Sequence, residues 1–145
     1  MKHALFVLAM SGALAAADFK AGVARIDITP EGPIWMSGYA SRKQPSQGVL
    51  QRLWAKAIAI EDARGGRAVI VTTDLIGLPR AVSDVAAARV LKQYGLPRAA
   101  LLLNSSHTHT GPVVRPNLST MYALDEENDR RIAAYTRELT DKLVT

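Results

Sequence analysis

One stretch of the sequence, residues 67–103, has the pattern of a strand, a helix and a second strand. Residues 67–74 are mostly apolar, with β-branched side chains in the middle. Residues 80–94 carry apolar side chains at helical spacing and end before Gly95, and residues 99–103 are apolar again. The two strands of such a β-α-β unit are parallel. Their carboxyl ends therefore lie at the same edge of one sheet, where sites in α/β proteins usually form.

The segments around this unit complete the predicted fold. Residues 21–30 alternate apolar and polar side chains, as a half-buried strand does. Residues 54–61 and 67–74 flank a turn with two glycines, which predicts a β-hairpin. The apolar run in the second of these strands predicts a central strand that is covered on both faces. A last helix is expected after Asp125. The predicted fold class is α/β, a mixed sheet with a β-hairpin and a β-α-β unit.

The composition limits the classes of protein to which the chain can belong. A length of 145 residues allows at most one domain, and 48% hydrophobic residues is ordinary for a globular protein. The net charge of +5 comes from 18 basic and 13 acidic residues scattered along the chain. They form no basic stripe with interleaved aromatics, so we expect no nucleic-acid partner. The chain has no cysteine, which excludes disulfides and thiolate zinc ligands. No stable protein partner is implied.

The first 17 residues have the pattern of a secretory signal peptide. Lys2 gives a positive start, residues 4–17 are apolar or small, and small side chains stand where a signal peptidase would cut. The apolar stretch is shorter than the ~20 residues of a membrane span. We therefore expect a secreted or periplasmic protein, with residues 18–145 as the mature part. A buried N-terminal helix is the alternative.

The segment NSSHTHTGP, at residues 104–112, follows the second strand of the β-α-β unit. Side chains two apart in an extended segment point to the same side, so His107 and His109 can face one ion or one substrate. Imidazole suits zinc, and a catalytic zinc takes three protein ligands. The chain can supply these two histidines and a carboxylate such as Asp74, expected roughly 5–10 Å away. We interpret this segment as half of a zinc site whose other half is missing from this chain.

The polar residues near this loop also have plainer interpretations. A His-x-His pair can be a pair of surface residues, and an aspartate at a strand end, such as Asp74, is often a cap or turn former. Ser105 and Ser106 lack the Gly-x-Ser-x-Gly turn of a nucleophile, so we expect them to support the loop by hydrogen bonds. Three residues are candidates for contact with substrate or with the histidines: Asp74, Tyr39 and Ser106.

Residues 31–51 form an unusually long predicted loop. A loop of this length in a small domain is either functional or disordered, and its aromatic residues favour a packed one. Trp35 and Tyr39 are expected in the core or in the wall of a cleft. Arg42 is expected to be solvated, with contact to the substrate as the alternative.

Residues 106–112 of the segment NSSHTHTGP, which we call the histidine loop, resemble the signature of the neutral (non-lysosomal) ceramidase family, in which THTHSGP follows a short apolar strand. Here the sequence is SHTHTGP at residues 106–112. Four more segments resemble the family in the same order, and the resemblance runs from about residue 21 to residue 116. The four segments are AGVARIDIT at 21–29, MSGYA at 36–40, LWAKA at 53–57 and VTTD at 71–74.

The resemblance implies a zinc amidohydrolase that cleaves N-acylsphingosine (ceramide) to sphingosine and fatty acid. It implies that His107 is a zinc ligand and that His109 faces the substrate and the developing oxyanion. The family's other ligands are a histidine, a glutamate and a tyrosine far downstream, as is its essential serine, and none has a counterpart here. Residues 18–145 are then the N-terminal part of a larger catalytic domain, with a lipid amide at a membrane surface as substrate and no activity alone.

Two other functions remain open from the residues alone. The first is another exported metallohydrolase with a His-x-His metal site. The second is an exported binding module without enzymatic activity, in which the histidines are surface groups.

Overall fold

The structure is a computed structural model, and it describes residues 18–145. The predicted signal peptide lies outside the described residues. The described part contains four strands and two α-helices: β1 (Lys20–Asp27), β2 (Trp54–Glu61), β3 (Arg67–Thr73), α1 (Arg80–Tyr94), β4 (Leu101–Ser105) and α2 (Glu126–Lys142).

The four strands form one mixed sheet in the order β1-β2-β3-β4. β1, β2 and β3 pair antiparallel in sequence, while β3 and β4 pair parallel across α1. The predicted fold class, hairpin and β-α-β unit are therefore confirmed. β4 begins two residues later than predicted, because Pro97 opens a short 3-10 turn in which the Ala100 N–H donates to the Pro97 carbonyl.

Both helices pack against the same face of the sheet, which we call the inner face. Ala55, Val71 and Leu101 of the strands share one buried core with side chains from both helices. α1 ends at Gly95, whose φ of 65° is the left-handed conformation that glycine adopts freely. The helix side chains in this core are Val82, Ala86 and Val90 of α1 and Ile132, Tyr135 and Leu139 of α2.

α2 is fixed at its start and at its middle. The Asp125 carboxylate caps the helix by accepting from the Asn128 N–H at 2.7 Å. The buried Tyr135 hydroxyl donates to the Ile28 carbonyl at 2.8 Å. Burial raises the pKa of Tyr135 well above its ordinary value, so the phenol keeps its proton and remains a donor.

The opposite face of the sheet, which we call the outer face, is open in residues 18–145. The prediction that β3 is covered on both faces is wrong for this part of the chain: Thr72 is exposed and Ile70 is only half-buried. The reason is that α1 and α2 both lie on the inner face. Among the described residues, no helix has the length and apolar character needed to cross a membrane.

Candidate metal centre

The histidine loop begins where β3 and β4 end side by side. The Ser106 N–H donates to the Thr73 carbonyl at 2.9 Å, which extends the parallel ladder by one residue. The chain then turns at His107, whose φ of 61° lies in the left-handed region. That conformation costs a non-glycine residue about 1–3 kcal/mol and is often found at functional sites.

The imidazole of His107 is held by a backbone carbonyl. Its Nδ1 lies 2.8 Å from the carbonyl oxygen of Ile76, just after β3. A carbonyl can only accept, so Nδ1 carries the proton and Nε2 of the neutral ring keeps its lone pair. Metal-binding histidines are oriented in this way, with one ring N–H on a carbonyl or carboxylate and the other nitrogen free for the metal. His107 therefore fits the ligand role.

His109 lies next to His107 and is enclosed by the loop that precedes β2. The two imidazole centroids are 5.2 Å apart, and the Tyr39 ring meets the His109 ring edge-on at 5.0 Å. Gly38, with φ 101°, lies directly against His109, since a Cβ at position 38 would come within 2.5 Å of the imidazole Cγ. Both the backbone conformation and the close approach require glycine here.

Arg42 corrects the sequence-based expectation. It is half-buried, not solvated. Its Nη2 donates to the His109 carbonyl at 2.7 Å, and its guanidinium lies over the Tyr39 ring at 5.2 Å. Among the described residues its buried Nε has no hydrogen-bond partner. The Tyr-x-x-Arg spacing of residues 39–42 could have suggested that Arg42 stacks on Tyr39. No local pattern indicates the hydrogen bond to His109, because it joins residues that are 67 positions apart.

Three further hydrogen bonds fasten residues 35–38 of the long loop to the histidine loop and its flank. This part of the loop is therefore packed, as predicted, whereas residues 47–51 are exposed. Trp35 is buried in the core, as expected, whereas Tyr39 is about half exposed beside His109. The bonds run from the Ser37 N–H to the Gly111 carbonyl, from the Val113 N–H to the Trp35 carbonyl and from the Gly38 N–H to the Tyr122 hydroxyl.

A cleft of about 900 Å³ lies between the long loop, the histidine loop and the start of β2. Its lining includes the alternate residues of the histidine loop, Ser106, Thr108 and Thr110. Among the described residues that line it, neither histidine appears. The hydroxyl side chains therefore face this cleft, while the two imidazoles face each other.

Asp74 also lines the cleft, but its carboxylate has a structural partner. Oδ2 accepts the Trp54 N–H at 2.9 Å, and the Asp74 N–H donates to the Trp54 carbonyl at 3.0 Å. These bonds close the open end of the hairpin. Within residues 18–145, no three or more His, Asp or Glu side chains lie together as a metal site requires. A role for Asp74 or Ser106 in the reaction stays a prediction.

Two substitutions of Asp74 distinguish the need for a hydrogen-bond acceptor from the need for a charge at this position. Asp74→Ala leaves the half-buried Trp54 N–H without an acceptor, so we expect the free energy of unfolding to fall by about 1–3 kcal/mol. Asp74→Asn keeps an acceptor oxygen and is expected to lose less than half of that. Urea unfolding of the 145-residue chain measures both. An asparagine variant as unstable as the alanine variant would show that the charge, not the acceptor, matters.

Together, the mixed sheet and the histidine pair at the carboxyl ends of its parallel strands define an α/β chain with a candidate metal centre. Residues 19–125 match the family described as neutral/alkaline non-lysosomal ceramidase, N-terminal. The chain belongs to this family.

Particular relatives agree with this assignment. The chain is 37% identical over 115 residues to neutral ceramidase of Drosophila pseudoobscura pseudoobscura, covering 74% of this chain and 16% of the relative. It is 34% identical over 112 residues to neutral ceramidase of Pseudomonas aeruginosa, covering 74% and 17%. It superposes on the crystal structure of the Pseudomonas aeruginosa enzyme with a TM-score of 0.65 and 30% identity, over 86% of this chain and 21% of that one. The chain thus spans about one sixth of the length of these curated relatives.

Proposed function

We propose that this chain is the N-terminal part of a zinc-dependent amide hydrolase of the neutral ceramidase type, which cleaves N-acylsphingosine to sphingosine and fatty acid. The single observation that carries the zinc assignment is the hydrogen bond from His107 Nδ1 to the Ile76 carbonyl, since it leaves Nε2 free to bind a metal. Family membership supports the ceramidase-type activity. Export through residues 1–17 is part of the same proposal.

The residues have separate roles in this proposal. His107 supplies one zinc ligand, and the other protein ligands come from a downstream part of the catalytic domain that residues 18–145 do not include. When bound, zinc polarises the amide carbonyl as a Lewis acid and makes water more acidic. His109, whose ring centroid lies 5.2 Å from that of His107, donates a hydrogen bond to the developing oxyanion or passes a proton. Residues 18–145 alone hold too few ligands and are expected to be inactive.

A lipid amide is the substrate class that the relatives support. A second solved structure on which the chain superposes is described as a ceramidase complexed with C2, with a TM-score of 0.66 and 28% identity over 89% of this chain and 20% of that one. The proposal extends this substrate class to the present chain, with the lipid presented at a membrane surface. Tyr39 beside His109, and Ser106 and Asp74 at the cleft, are the proposed substrate or supporting contacts.

Metal removal tests the proposal in a chimera in which residues 18–145 replace the equivalent part of the Pseudomonas aeruginosa relative. The chimera is expected to bind one zinc ion and to hydrolyse fluorescent N-acylsphingosine. Chelation is expected to abolish hydrolysis, and added zinc to restore it, because the carbonyl loses its Lewis acid. Full activity in a chimera that contains no measurable zinc would remove the metal from the mechanism.

A further inference from the structure

The outer face of the sheet carries an apolar row that crosses all four strands. In the strand register Val23 lies opposite Ile58, Ile58 opposite Ile70, and Ile70 opposite Leu102. Directly opposed residues point to the same side of a sheet. These four side chains, which we call the outer row, therefore form one continuous surface.

The outer row is open to solvent in the described part of the chain. The exposed fraction is 83% for Val23, 37% for Ile58 and 53% for Leu102, while Ile70 is half-buried. A second row, in which Ile60 lies opposite both Ala21 and Ala68, widens the surface. Contiguous exposed apolar surface marks an interaction site, and a strand as apolar as β3 is typical of sheets covered on both faces.

We propose that the outer row is the docking surface for the part of the catalytic domain that lies outside the matched N-terminal region in the family's longer members. This chain corresponds to 16% and 17% of two curated relatives and to 21% of a solved one. About four fifths of the relative's polypeptide therefore remains to pack around the equivalent of this sheet. Domains are built from layers that bury the apolar face of each sheet, so an apolar layer from that polypeptide is the occupant.

Polar residues on the outer face mark where its apolar surface ends, and so where the docked layer is expected to end. Towards the histidine loop the apolar row gives way to a polar row, in which Arg25, Lys56, Thr72 and Asn104 are opposed in turn. Lys56 also lines the 900 Å³ cleft. A layer seated on the apolar end therefore brings residues from outside this chain to the border of the cleft.

Co-expression tests the proposal. The tagged 145-residue chain is produced with the untagged part of Pseudomonas aeruginosa neutral ceramidase that lies outside the matched region, and the co-purified untagged polypeptide is quantified. We expect one-to-one co-purification, which Ile58→Asp with Leu102→Asp lowers at least tenfold. The matched control is Val85→Asp with Leu91→Asp, which introduces the same charges at exposed positions of α1. It is expected to leave the amount unchanged.

A single substitution provides a control in case the double variant fails to fold. Val23→Asp changes the most exposed residue of the row on an edge strand, and circular dichroism checks that it folds. No co-purification with the unaltered chain, no effect of Val23→Asp, or an equal loss in the α1 control would overturn the proposal.

Other occupants are separate outcomes of the same design. A dimer of the chain alone that Val23→Asp dissociates in sedimentation would assign the row to a second copy and overturn the proposal. Flotation with phosphatidylcholine vesicles that Val23→Asp abolishes would assign it to a lipid surface, with the same consequence. None of these readouts depends on zinc or on hydrolysis, so they stand or fall separately from the proposed function.

Discussion

Replacement of His107 by alanine in the chimera is expected to remove the bound zinc and to lower the hydrolysis of N-acylsphingosine at least about a thousand-fold. The reason is that His107 has its Nδ1 fixed on the Ile76 carbonyl, which leaves Nε2 free as the proposed ligand atom. Loss of the metal forfeits several kcal/mol of charge stabilisation, and each 1.36 kcal/mol is tenfold in rate. Zinc content by elemental analysis and the initial rate measure the two effects together.

His109→Ala is the matched control for this substitution. It removes the neighbouring imidazole from the same loop but is expected to leave the zinc in place. Loss of one oxyanion donor lowers kcat by roughly 10²–10³. A His107→Ala chimera that keeps both its zinc and its rate, or a His109→Ala chimera that loses its zinc, would contradict the assigned roles.

Gly38→Ala is expected to be the most damaging single substitution for the loop around the site. The added Cβ would come within 2.5 Å of the His109 ring, and the φ of 101° disfavours any L side chain. Strain and overpacking together are expected to lower the free energy of unfolding by roughly 2–5 kcal/mol. Urea unfolding of the 145-residue chain measures this, and the same variant in the chimera should lose activity because His109 is displaced.

Gly32→Ala provides the comparison within the same loop. No atom lies within 4 Å of a Cβ at position 32, and its backbone is outside the left-handed region. The change in unfolding free energy is therefore expected to be small. If Gly38→Ala were as harmless as Gly32→Ala, the close packing of the long loop against His109 would not exist in solution.

Local signals in the sequence were sufficient to predict the elements of the fold. The bounds of α1 and β2 agree with the predicted ranges 80–94 and 54–61, because Gly95 and the glycine turn after β2 act on their immediate neighbours. The parallel pairing of β3 and β4 followed from the helix between them. His107 and His109 were predicted to lie together because they are two residues apart. Their ring centroids do lie 5.2 Å apart, although the chain turns at His107 and is not extended there.

Contacts between distant parts of the chain could not be predicted in this way. Arg42 was assigned to solvent because nothing near it in sequence reveals that the long loop folds back onto His109. The Ile76 carbonyl that fixes His107 has no side-chain signature at all. The open outer face was missed for a related reason: the apolar pattern of β3 predicts burial on both faces, but it does not show whether the covering residues lie within residues 18–145.

The membership of the ceramidase family also bears on the two other functions left open by the residues. Another class of His-x-His metallohydrolase would not account for the match over residues 19–125. A binding module with surface histidines would not need the strained φ of His107 or the glycine packed against His109. The φ of His107 and the packing of Gly38 against His109 instead fit a loop whose imidazoles are held in a fixed position, as at functional sites.

The tautomer of His107 tests the central claim most directly. A long-range ¹H–¹⁵N correlation spectrum of the ¹⁵N-labelled 145-residue chain, at a pH where the ring is neutral, shows which ring nitrogen carries the proton. His107→Ala identifies the signal among the three histidines of the chain. The predicted result is a proton on Nδ1 and a free lone pair on Nε2. A proton on Nε2 would contradict the account, because the nitrogen assigned to zinc would then be blocked.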